Sequence, residues 1–158
     1  MLRPTTAASY ETYHKVMLEM EQALHQMHLL VNSVYAKRTQ LEELLATIPA
    51  GKHRALHAEA AALVQKMKAW DEDMVQRKSK AYDDVENFPN KFTANYMFLL
   101  NQTESDIPQV NQPSLDLKRT LDAEWAGLKA RVDAILGKDL PALNKMLWDA
   151  GIGGIWKE

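Results

Sequence analysis

From Tyr13 to Ile48 the apolar residues step three and four positions apart. They run Tyr13, Met17, Met20, Leu24, Met27, Val31, Val34, then Leu41, Leu45 and Ile48, with Arg38 standing in the register between. That stepping keeps one stripe on one side of a helix for about five heptads, the seam a partner helix needs. A strand would scatter the same residues over both faces, because its side chains alternate with period two. A second series, Leu56, Ala60, Leu63, Met67, Trp70 and Met74, repeats the pattern. The chain is thus expected to be all-α.

The first helix is expected to start between Thr6 and Ser9 and to stop at Pro49-Ala50-Gly51, a double break. About 38 residues at 1.5 Å each make a rod of roughly 55–60 Å. A second helix is expected from Lys52–Leu56 to about Lys80, turned back on the first by the short connection. Residues 82–91 lose the heptad and read as a loop, with Asn90 capping helix three. That helix carries Phe92, Tyr96, Leu99 and Leu100 and is expected to fray from Asn101. Ser114 should cap helix four, whose apolar face reads Leu117, Leu121, Trp125, Leu128, Val132 and Ile135 or Leu136, ending at Gly137. Asp139 then caps a short fifth helix with Pro141 in its first turn and Leu140, Leu143, Leu147 and Trp148 along it. Gly151 ends it. The expected architecture is an antiparallel bundle of four main helices, with a long first hairpin and a short C-terminal fifth helix. Residues 1–158 fit one helical-bundle domain by size.

Composition excludes more than it selects. The net charge is −2, so no basic excess is available to neutralise phosphates, and nucleic acid is not an expected partner. No apolar run approaches the roughly 20 residues of a membrane span. Cysteine is absent, which excludes disulfides, thiolate metal sites and cysteine nucleophiles. No Gly-rich phosphate loop and no nucleophile elbow occur. Neither a catalytic residue nor a cofactor is expected.

With cysteine absent, histidine is the metal ligand to weigh. His53 and His57 are four apart and share a helix face, so with a third ligand they would chelate one cation. His25 and His28 are three apart and rim the stripe beside Met27. Glu11-Thr12-Tyr13-His14 is a Glu-x-x-His, but di-iron bundles need two such pairs and a second is missing. His53 and His57 are the metal candidates, set against the reading of all these residues as a solvated helix surface. Met17, Met20, Met27, Met67 and Met74 either fill the core or line an adaptable groove. Trp70 and Trp125 fall on apolar faces and read as core anchors. Arg38 is expected to lay its stem along the seam and pair with Asp71 or Glu72. Trp148, Ile152 and Trp156 sit near the C-terminus on a short helix and a glycine-hinged tail. They either tuck against the bundle or dock a neighbour.

The second half carries a resemblance. Phe88-Pro89-Asn90-Lys91-Phe92-Thr93-Ala94-Asn95-Tyr96-Met97-Phe98-Leu99-Leu100 leads into a Pro/Gln loop and a long helix. The chain closes with Asp139-Leu140-Pro141-Ala142-Leu143-Asn144-Lys145-Met146-Leu147-Trp148-Asp149-Ala150-Gly151-Ile152. This resembles the C-terminal helical region of large bacterial β-propeller proteins of the sialidase-like (BNR) and sortilin-like repeat kind. The resemblance implies that the domain is excised from a longer multidomain protein and that Met1 is not its natural start. It also implies an extracytoplasmic parent, periplasmic or secreted, whose propeller carries any glycan chemistry. The helices would then be a non-catalytic accessory domain, docking on the propeller or on another protein. The alternative is a stand-alone bundle that holds a partner helix or small apolar ligand in a Met-lined groove. A metal-dependent bundle enzyme is the third reading. A homodimer through the long hairpin is compatible with the first two.

Overall fold

The computed structural model describes residues 7–78 and 89–155. Every regular element among them is helical: α1 (Ala7–Thr47), α2 (Arg54–Met74), α3 (Phe92–Ser105), α4 (Gln112–Ala134), a π-helical turn (Ile135–Asp139) and α5 (Leu140–Asp149). The protein is an all-α antiparallel bundle of four main helices with a long first hairpin and a short fifth helix. Contacts divide it into two compact units, and both α1 and α4 contribute to each.

In the first unit (1–29 and 74–126) Tyr13, Met17, Met20, Met27, Phe92, Tyr96, Leu99, Leu121 and Trp125 are buried. Phe92 stacks on Trp125 with 6.3 Å between ring centroids. Tyr13 Oη donates to the Glu104 carbonyl at 3.4 Å, tying α1 to the end of α3. Tyr96 Oη donates to Asp122 Oδ1 at 2.8 Å, and Lys118 Nζ bridges Asp122 Oδ2 (2.7 Å) and Glu19 Oε2 (2.8 Å). One polar knot therefore joins α1, α3 and α4.

In the second unit (30–73 and 127–158) Val34, Leu41, Leu63, Met67, Trp70, Val132, Leu140 and Leu147 are buried. Trp70 Nε1 donates to the Leu128 carbonyl at 2.8 Å, so the indole is both packed and satisfied. Arg131 pairs with Asp73 at 2.6 Å and Lys66 with Asp139 at 3.2 Å. One partner climbs the chain as the other descends, which sets α2 antiparallel to α4 and its continuation. The Arg38 guanidinium lies over the Tyr35 ring, 4.9 Å from its centroid.

Several expected helix ends move. α2 stops at Met74 rather than near Lys80. Its last turn is acidic (Asp71, Glu72, Asp73), the wrong sign for a helix C-terminus. The Met74 carbonyl takes its bond at 2.8 Å from the Thr93 hydroxyl, in place of the next helical turn. Lys91, not Asn90, is the N-cap of α3, and no side chain caps it. α3 holds to Ser105 because Thr103 is buried and returns its hydroxyl to the Leu99 carbonyl at 2.8 Å. Asn111 caps α4 in place of Ser114: its Oδ1 accepts the Ser114 N–H at 2.8 Å. Leu117 leaves the apolar face, at 39% exposure. The expected loop at 82–91 falls largely outside the described residues.

Gly137 does not end a helix, and Asp139 is helical without a side-chain cap. The chain passes from α4 to α5 through the π turn, where the Leu140 N–H bonds the Ile135 carbonyl five residues back. Pro141 explains this. It has no N–H for the carbonyl four residues back, and its ring would press on that group. A wider turn just before it accommodates the ring without breaking the rod.

Candidate docking face at the end of α5

Leu140, Leu143 and Leu147 recur at helical spacing and turn one side of α5 into the second unit's core. Trp148 follows Leu147 directly, so about 100° of helix rotation carries it off that side. It is 74% exposed, the most exposed of the large apolar side chains described, and it does not join the apolar face expected of it. Tyr10, Leu18, Leu29 and Phe98 also face solvent from helix surfaces.

The helix ends where Gly151 takes φ +75°. The Ile152 N–H bonds the Leu147 carbonyl at 2.8 Å and the Gly151 N–H bonds the Trp148 carbonyl at 3.0 Å. That pair is a Schellman cap, which reverses the chain across the last turn of the helix. The tail is then gripped. The Ile155 N–H donates to Asn144 Oδ1 at 2.6 Å, and Asn144 Nδ2 donates back to the Ile155 carbonyl. One carboxamide thus satisfies both backbone groups of one residue. Ile155 is buried, and Ile152 is half-buried. Gly154 leaves room for the approach: a Cβ there would stand 3.0 Å from Asn144 Oδ1, and the carboxamide would have to give by a few tenths of an ångström.

Between helix and tail lies a pocket of about 190 Å³, lined by Asn144, Trp148, Gly154 and Ile155. None of these four described lining residues titrates or carries a nucleophile. The glycine-hinged tail tucks back at Ile155, one of the two alternatives its sequence offers, but nothing in the sequence names Asn144 as the residue that holds it. The Gly153-Gly154 pair ahead of an isolated Ile is the one signal that points to the tuck. Trp156 lies outside the described residues.

The other candidates are not drawn together. His53 and His57 are both half-buried at the start of α2, joined only by the backbone bond from the His57 N–H to the His53 carbonyl at 2.9 Å. His25, His28, Glu11 and His14 are exposed. Among the described residues no group of three or more His, Asp or Glu side chains is placed to hold a metal ion. A smaller pocket of about 90 Å³ lies beside the Lys66–Asp139 pair, floored by Leu143 and Met146. Met17, Met20, Met27, Met67 and Met74 are buried as packing groups, which takes away the side chains that suggested a groove. No described helix is long and apolar enough to cross a membrane.

Comparison of the chain with protein-family models, with curated protein sequences and with solved structures finds no match.

Proposed function

We propose that this chain is a non-catalytic helical module that docks through the Trp148 end of α5. On the sequence resemblance, its partner is the β-propeller of a larger bacterial protein. The exposure of Trp148 carries the reading. A large indole costs about as much to hold in water as a core leucine does, and interfaces concentrate binding energy in such residues. The described lining of the pocket beside it supplies shape and hydrogen-bonding groups and no reactive group.

Trp148→Ala is expected to leave the urea-unfolding free energy within about 0.5 kcal/mol of the unaltered chain, as at an ordinary surface position. Trp70→Ala, buried and hydrogen-bonded, should cost about 3–5 kcal/mol. A loss of that size at Trp148 would return it to the core and remove the docking reading. The partner is tested separately. The reading frame upstream of Met1 is sequenced, and any strand-rich segment it encodes is produced and titrated with this chain. Binding that weakens about tenfold in Trp148→Ala supports the proposal. A frame without strand-rich repeats removes the propeller from it.

A further inference from the structure

We infer that Asn144 makes the end of α5 a receptor for one residue of an extended strand, that the chain's own Ile155 occupies it from within, and that an edge strand of a partner carrying a Gly-Ile step takes the same place. This rests on the reading of the Trp148 end as a docking face and names what that face takes.

The occupant is read from the residue already seated there. The Ile155 N–H donates to Asn144 Oδ1 at 2.6 Å, and Asn144 Nδ2 donates to the Ile155 carbonyl. One planar carboxamide reaches both groups of a single residue only when they point to the same edge of the backbone. That is the arrangement in an extended strand; in a helix the two groups point opposite ways along the axis. Asn144 therefore does what the facing residue of a neighbouring strand does, exchanging two hydrogen bonds with one residue. Strands at the edge of a sheet present such groups unpaired. Recognition by strand addition uses them for affinity and the side chains for specificity.

Side chains supply that specificity here. Ile155 is 7% exposed, so the seated residue is a buried aliphatic one. The residue before it is glycine, and a Cβ on Gly154 would stand 3.0 Å from Asn144 Oδ1 and 3.3 Å from its Cγ. The seat thus reads glycine and then an aliphatic residue. Trp148 is one turn on from Asn144 and borders the same seat. Release of the internal ligand is favoured by its composition. It joins α5 through Gly151, Gly153 and Gly154, and glycine gives up more backbone freedom on ordering than any other residue. Tethered so closely, it still competes at an effective concentration on the order of millimolar. The tail is accordingly a built-in competitor that a partner strand displaces.

The test is a titration of a capped peptide repeating residues 150–158 into the full chain, labelled with nitrogen-15 and carrying Ile155→Pro. Proline has no N–H to give Asn144, so the substitution empties the seat, and position 155 lies outside every helix. Saturable shifts are expected at the Asn144 side-chain amide and the Trp148 indole N–H, with Kd on the order of millimolar for so short a ligand. The unaltered chain should bind the peptide about tenfold more weakly, because its own tail competes. Asn144→Ala in the Ile155→Pro chain should weaken binding by about tenfold, the worth of two hydrogen bonds. A peptide with proline at the place of Ile155 should not bind, and one with alanine at the place of Gly154 should bind more weakly. Absence of saturable shifts, equal affinity in the unaltered chain, or equal affinity after Asn144→Ala or for the proline peptide would each overturn the inference. If Trp148→Ala is stable and the peptide still does not bind, the docking face stands and this assignment alone falls. If Trp148→Ala costs core-sized stability, the docking face falls first.

Discussion

Tyr96 is fully buried yet keeps a hydroxyl, because Asp122 Oδ1 accepts it at 2.8 Å. Burial raises its pKa well above the ordinary tyrosine value, and the Asp122 carboxylate adds to the rise by hydrogen bond and charge. For Lys118 burial pulls the other way, but the Asp122 and Glu19 carboxylates outweigh it and the pKa is raised. Both groups favour their protonated forms in the folded state. Their stabilisation is complete below about pH 10 and is lost as pH rises through the folded values. Urea stability should therefore be level from about pH 7 to 9 and fall above about 10. Tyr96→Phe should cost about 1–2 kcal/mol at neutral pH and make the alkaline fall shallower. An unchanged alkaline profile in that variant would mean that Tyr96 titrates alike in the folded and unfolded chain.

At the scale of the element, the run from Gln112 to Asp149 contains two internal glycines and ends on a third. Gly127 and Gly137 lack positive φ, and a Cβ at either meets nothing within 4 Å. Each weakens its helix only through backbone freedom. Gly127→Ala and Gly137→Ala should each stabilise by about 0.5–1 kcal/mol. Gly151, at φ +75°, is the opposite case, and Gly151→Ala should destabilise by about 1 kcal/mol. Thermal unfolding of the three variants separates these outcomes. A destabilising Gly137→Ala would restore Gly137 as a helix terminator and remove the continuous passage through the π turn.

For the whole molecule, charge is a minor term. The net charge is −2, and several described ion pairs, such as Lys68–Glu42, Arg119–Asp116 and Arg131–Asp73, have both partners well exposed. Exposed pairs contribute roughly 0–1 kcal/mol each and are screened by salt. Raising NaCl from about 0.05 to about 1 M should lower the unfolding free energy by less than about 1 kcal/mol in total. A larger loss, read from urea midpoints in the two salts, would show that charge pairing carries more of the fold than apolar burial. That burial is visible in each unit: Trp125 closes over Phe92 in one, and Trp70 reaches Leu128 in the other.

The amino-acid sequence alone was enough to determine the helical class, the hairpin and most of the core. Helical periodicity is a local property, and the stripe from Tyr13 to Ile48 is buried or half-buried at every position. The turn at Pro49–Gly51 and the cap at Gly151 were legible because each depends on one residue's backbone limits. Other ends were settled elsewhere in the fold. α2 stops at Met74 because Thr93, nineteen residues on, takes its carbonyl. The rod through Gly137 depends on how a π turn absorbs Pro141, which a helix-terminating glycine signal does not express. The pocket was the least legible feature. It needs Asn144 and Ile155, eleven residues apart, to meet through a reversed chain, and it needs Trp148 to miss the core by one step of helix rotation. Spacing along a chain records which residues can share a face. Which of them finds a partner there is decided only when the other elements have packed.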